Sequence, residues 1–145
     1  MVTVALAQLR VDDTEQVDAR VERVVALLSG MADVPDLVVL PELWPVGAFN
    51  IERILQYAEP LHGPFTTAMA SVARTLRTTL HAGSFPERHG GGVSNTSVVF
   101  GPDGTMTGVY RKIHLFGFDQ GEAALLAAGA DTVVVSTPLG PTGIT

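Results

Sequence analysis

The chain has 145 residues, is 46% hydrophobic and 17% charged, and carries a net charge of -6 with no cysteine. That length fits one domain with a real core, and a mean hydropathy of +0.30 excludes a disordered chain. An acidic pI of about 5.0 disfavours nucleic acid and anionic membranes as partners, and the lack of cysteine rules out disulfides and thiolate metal sites.

Val2 to Leu9 is almost continuously apolar and rich in β-branched residues, the pattern of a strand covered on both faces. Arg10, Asp12 and Asp13 follow too closely for a signal peptide, and no apolar run reaches the roughly 20 residues that span a bilayer. A cytoplasmic protein with no membrane partner is expected. Asp13 and Gln16 are placed as a capping box. Val17, Val21, Val24, Val25 and Leu28 then share one helical face, and Gly30 marks the helix end. Leu37 to Leu40 reads as a second buried strand, stopped by Pro41. Strand, helix, strand within about 40 residues is a βαβ unit and implies parallel neighbours.

Ile51 to Ala58 suits a short helix, and Gly63-Pro64 opens a longer one that buries Met69, Val72, Ala73 and Leu76. Leu80 to Phe85 is a third strand. Val93–Phe100 and Thr105–Ile113 flank the turn sequence Gly101-Pro102-Asp103-Gly104, which makes them an antiparallel hairpin. Glu122 to Ala128 is placed as a helical turn, Thr132 to Ser136 as a strand, and Pro138 to Gly143 as a turn. Ile144-Thr145 then reads as the start of an unfinished strand, so a truncated domain is expected.

Two side chains stand out. Glu42 lies just past the carboxyl end of a buried strand, where ligands bind in parallel α/β sheets, and a carboxylate there can serve as a general base. Taken alone it reads first as a solvated loop glutamate. Lys112 closes a hairpin strand, and alternation puts it on one face with His114, opposite Arg111 and Ile113. A lysine beside a carboxylate stays protonated and stabilises a developing oxyanion, although a lone lysine there is usually a surface residue. Trp44 and Phe49 are candidates to line an acyl pocket, with core packing equally open. His114 and Trp44 are taken as substrate-binding.

Other signals carry less. His89-Gly90-Gly91-Gly92 has the form of a lipase-type oxyanion loop, but no Gly-x-Ser-x-Gly elbow accompanies it, so it reads as a hairpin approach. No glycine-rich phosphate loop follows a strand, and the four histidines are scattered without ligand spacing, so no metal site is expected.

Taken in order, several segments have a shared pattern. These are Ala5-Leu6-Ala7-Gln8, Leu40-Pro41-Glu42-Leu43, Gly63-Pro64, Gly83-Ser84, Ser94-Asn95-Thr96, Pro102-Asp103-Gly104 and Tyr110 to Phe116. With them the chain resembles the nitrilase, or carbon–nitrogen hydrolase, superfamily over essentially its whole length. The resemblance implies an α/β fold, the N-terminal portion of an α-β-β-α sandwich, with residues 1–145 a partial domain. It also implies a cofactor-free Glu–Lys–Cys mechanism in a homodimer or larger homo-oligomer, acting on a small amide or, less favoured, a nitrile. Glu42 matches the family's general base and Lys112 the lysine that stabilises the tetrahedral intermediate. Glu122, after Gln120-Gly121, matches a second glutamate that positions substrate and lysine. The family's nucleophilic cysteine is expected directly after a segment like Gly140 to Thr145, and the chain holds none. Residues 1–145 alone are therefore expected to be inactive. Two alternatives stay open: a non-catalytic half-domain that binds a partner, and the amidase portion of an acyltransferase or glutamine-dependent synthetase.

Overall fold

β1 (Val4–Leu6), α1 (Val17–Ser29) and β2 (Leu37–Val39) form the expected βαβ unit, with Val4 opposite Leu37 in a parallel pairing. The computed structural model describes residues 1–117 and 121–145. After β2 come α2 (Ile51–Gln56), α3 (Pro64–Leu76), β3 (Thr79–His89), β4 (Gly92–Phe100) and β5 (Met106–Arg111). The five strands make one sheet in sequence order, parallel from β1 to β3 and antiparallel from β3 to β5. A short α4 (Glu122–Leu125) then precedes a separate ribbon of β6 (Val133–Thr137) and β7 (Gly140–Ile144).

Side-chain alternation along β4 sorts the layers. Val98 and Phe100 point to α1 and α3, where Val24, Leu28, Phe65, Met69 and Val72 complete the main core. Val99 points the other way and packs with Tyr110, Val135 and Ile144, which places the ribbon on the opposite face. Each such side chain, fully buried, contributes about 1.5–3 kcal/mol. The order helices, sheet, ribbon agrees with the expected α/β sandwich.

Three expectations are corrected. β1 is the outer strand of its sheet, and Val4 and Leu6 are exposed, so its apolar run is not covered on both faces. Asp13 and Gln16 form no capping box, because Gln16 is the N-cap and its side chain makes no cap bond. The preceding turn is instead closed by Asp12, which accepts from Thr14 N–H at 2.9 Å and from Thr14 Oγ1 at 2.7 Å. Finally, the turn between the last two strands is shorter than expected. Pro141, Thr142 and Gly143 lie within β7, where Thr142 pairs with Val135. Proline is tolerated there because β7 pairs on one side only among the described residues.

Arg20 is buried in the helix layer, which its polar character hid. Its guanidinium donates to Glu15 Oε2 at 2.9 Å and to the Trp44 and Pro45 carbonyls at 3.2 and 3.1 Å, tying α1 to the loop after β2. Arg23 donates to Glu15 as well, at 2.7 Å, and hydrogen bonds from Arg23 and Arg20 hold the Glu15 carboxyl down at about 2. A depressed carboxylate stabilises the fold above its unfolded value of 4.5, and that contribution is lost as pH falls toward 2. Glu15→Gln is accordingly expected to flatten the loss of stability between those two pH values, as read by denaturant midpoints. An unchanged acid limb would show that the pair contributes nothing.

Candidate active site

Glu42 is presented by a loop that the sheet itself clamps. Leu40 N–H still donates to the His81 carbonyl at 2.9 Å, continuing the β2–β3 pairing to the end of the strand. β3 then departs from regular register between His81 and Ser84. In that bulge, Ser84 N–H donates to the Pro41 carbonyl at 3.3 Å, and Ser84 Oγ accepts from Leu43 N–H at 2.9 Å. Gly83 has φ +68, and a Cβ there would stand 2.0 Å from the Pro41 oxygen. Leu43 takes a left-handed φ of 44, and Trp44 sinks into the core with its indole N–H donating to the Ala82 carbonyl at 3.0 Å. Glu42 is the side chain of this tight turn left pointing outward.

Lys112 follows β5 and is anchored on both sides of its backbone. Its N–H donates to the Asn95 carbonyl at 2.9 Å, and its carbonyl accepts from Gly129 N–H at 3.0 Å. Its ammonium Nζ donates to Glu42 Oε1 at 2.6 Å and to Glu122 Oε2 at 2.8 Å. The three residues expected to act together therefore meet, although 70 residues of chain separate Glu42 from Lys112. Asn95 on β4 completes the group, with Nδ2 donating at 2.7 Å to Glu42 Oε1 and at 2.7 Å to Glu122 Oε1.

The environment fixes the charge states. Burial pushes the Glu122 carboxyl up, but hydrogen bonds from Lys112, the Phe116 N–H and Asn95 outweigh it and leave it below the usual carboxylate value. Burial pushes Lys112 down, and its bonds to Glu122 and Glu42 more than reverse that, so the ammonium persists. The trio holds two carboxylates against one cation.

Glu42, Lys112 and Asn95 line a cleft of about 440 Å³, together with His81, His114 and Thr145, while Glu122 is buried behind them. His114 lines the same cleft as Lys112, but both follow the end of β5 at Arg111, so strand alternation does not set their common side. His81 is held below the usual imidazole value by burial, and its Nδ1 accepts from Gly83 N–H at 3.2 Å. It is a neutral imidazole with its proton on Nε2. Trp44 does not line the cleft. It is fully buried, with its ring 5.7 Å from that of Phe65, so its place is the core. Phe49 is exposed and meets Phe116 edge-on at 6.5 Å. Gln120, next to the Glu122 segment, lies outside the described residues.

Asn95 and His81 escaped the sequence reading. The signal for Asn95 was a run of four polar residues, Ser94 to Ser97, inside a strand. All four are buried, and such a run in a central strand asks for a polar partner. Among the described residues, no group of three or more His, Cys, Asp or Glu is placed to hold a metal ion, and no helix is long and apolar enough to cross a membrane.

Comparison with known proteins identifies the family and the fold. The carbon-nitrogen hydrolase family profile matches residues 3–145. A 2-oxoglutaramate amidase from Paenarthrobacter nicotinovorans is 40% identical over 136 residues, covering 91% of this chain and 46% of the relative. The chloroplastic omega-amidase of Arabidopsis thaliana is 36% identical over 119 residues, covering 74% and 32% respectively. The chain therefore spans less than half the length of these relatives. Among solved structures, a CN-hydrolase superfamily protein from Xanthomonas campestris superposes with a TM-score of 0.84 at 27% identity, over 98% of this chain and 51% of that one. Nit3 of Saccharomyces cerevisiae shares the fold with a TM-score of 0.74 at 24% identity, over 98% and 54%. With the profile spanning nearly every residue and both relatives named as amidases, the chain belongs to the carbon-nitrogen hydrolase family.

Proposed function

We propose that residues 1–145 supply the general base, the oxyanion-stabilising cation and the positioning carboxylate of an amidase acting on small carboxamides. The observation that carries this is the Lys112 ammonium bridging Glu42 and Glu122 at the wall of an open cleft. In the proposed reaction, a cysteine thiol gives its proton to Glu42 and its sulfur attacks the amide carbon. The carbonyl oxygen becomes an oxyanion beside the Lys112 ammonium. As the intermediate collapses, the C–N bond breaks and the proton on Glu42 goes to the departing ammonia, leaving a thioester. Glu42 then takes a proton from water, which attacks the thioester carbon and releases the acid while the thiol is restored.

The thiol must come from sequence outside residues 1–145, since these contain no cysteine. Thr145 lines the cleft, which supports a nucleophile entering close to that point. The names of the relatives put amides ahead of nitriles and 2-oxoglutaramate first among the substrates to try. Homo-oligomeric assembly and a cytoplasmic location belong to the same proposal and rest on the family resemblance.

The test is ammonia release from a panel of small amides, using the native polypeptide and residues 1–145 separately. The native polypeptide is expected to turn over an amide and to weigh well above 15.3 kDa, and residues 1–145 to show no turnover. Turnover by residues 1–145, with contaminating hydrolase excluded, would overturn the need for an external thiol. A native mass of 15.3 kDa without activity would overturn the amidase reading in favour of a binding module.

A further inference from the structure

We propose that Asn95 is a positioning residue that divides the labour between the two carboxylates, so that only Glu42 Oε2 is left to take a proton. The chemistry this serves rests on the amidase reading above, but the carboxylate arrangement does not.

A side-chain amide nitrogen carries two hydrogens, and Asn95 spends them on two different acids, Glu42 Oε1 and Glu122 Oε1, each at 2.7 Å. Lys112 Nζ spans the same pair, so each carboxylate receives one donor from the amide and one from the ammonium. The outcome differs between them. Glu122 accepts from Asn95 on Oε1, and from Lys112 and the Phe116 N–H on Oε2, the latter at 2.9 Å. Both of its oxygens are occupied, the residue is buried, and it is held ionised. Glu42 takes both of its donors on the single oxygen Oε1. Among the described residues no donor meets Glu42 Oε2, and the side chain is 52% exposed beside the cleft. Proton traffic is thereby confined to one oxygen of one carboxylate.

A second observation shows that this orientation is imposed. Asn95 is only 2% exposed, and its Oδ1 is buried with no hydrogen-bond partner among the described residues. A buried acceptor without a donor is costly, and an apolar side chain of similar size would avoid the cost. Turning the amide over would set its carbonyl oxygen 2.7 Å from two carboxylate oxygens, which is worse. The asparagine keeps its orphaned oxygen because its nitrogen is needed at the acids. Without that nitrogen, two neighbouring carboxylates would share one cation, and one of them would protonate at higher pH.

The experiment is a carbon-13 titration of the glutamate side-chain carboxyls in the native protein, in Asn95→Ala and in Asn95→Leu. The leucine variant keeps the volume and removes the orphaned acceptor. The expected result is that at least one of the two carboxyls titrates about one pH unit higher in both variants. The acid limb of kcat/KM should move up equally, with kcat about 10²-fold lower and KM within about threefold. Folded variants with unchanged carboxyl titrations would overturn the proposal and leave Asn95 a packing residue. If neither variant folds, the wild-type Asn95 side-chain amide signal decides. Its two hydrogens must shift as Glu42 and Glu122 titrate, and a signal indifferent to both would overturn the assignment. A native protein without amide turnover, but with an Asn95-dependent titration, would sink the amidase reading alone.

Discussion

Lys112→Ala is expected to lower kcat/KM for amide hydrolysis by the native protein about 10³-fold or more. Loss of one preorganised donor to an oxyanion costs about 10²–10³-fold by itself. Here the same ammonium also separates Glu42 from Glu122, contacting them at 2.6 and 2.8 Å. Removing it leaves two carboxylates joined only through the Asn95 amide, so a proton enters the pair and the general base is partly neutralised. The two losses multiply. Lys112→Arg should recover little, because a planar fork cannot converge on two acids and an oxyanion as a compact ammonium does. Steady-state ammonia release on the same amide reads the effect, and a loss of under about tenfold would contradict the role given to Lys112.

Gly83→Ala is expected to destabilise the fold by about 4 kcal/mol, from strain at a left-handed residue plus overpacking. The added Cβ would lie 2.0 Å from the Pro41 carbonyl oxygen, in backbone that cannot yield without moving the Glu42 turn. Gly91→Ala provides the control. Gly91 has φ +83, but nothing lies within 4 Å of a Cβ there, so only the dihedral cost of about 1 kcal/mol applies. Denaturant unfolding of the two variants should therefore differ by roughly 3 kcal/mol. Equal destabilisation would mean that the close approach of β3 to Pro41 does not hold the loop.

Glu42 and Lys112 stand out in the sequence because they sit at element ends, but their grouping with Glu122 is legible only through the family resemblance. Pro41 and Glu42 follow a short apolar strand, and Lys112 follows a hairpin whose Gly-Pro-Asp-Gly turn is unambiguous. Helices α1 and α3 were legible from their apolar spacing, and Gly30 and Pro64 marked their ends. What stayed hidden depends on contacts between distant segments. Nothing in the sequence marks Arg20 as internal, and it is buried where the Glu15 carboxylate and the Trp44 and Pro45 carbonyls accept from it. Asn95 reads as part of a hairpin start, and its meaning appears only when Glu42 and Glu122 arrive from 53 and 27 residues away. The exposure of β1 escaped for a different reason, since an apolar run reports a strand's composition and not its place in the sheet. Trp44 shows the same ambiguity: an aromatic two residues after the proposed general base suits a pocket wall and a core equally, and the core took it.

Trapping the covalent intermediate is the most direct measurement. The native protein is mixed with a small amide, quenched in acid within the first turnovers, and mapped by peptide mass. The account predicts an acyl group on a cysteine outside residues 1–145, abundant in the wild type and strongly reduced in Glu42→Gln and Lys112→Ala. An acyl group on a side chain within residues 1–145, or turnover that survives both substitutions, would contradict it.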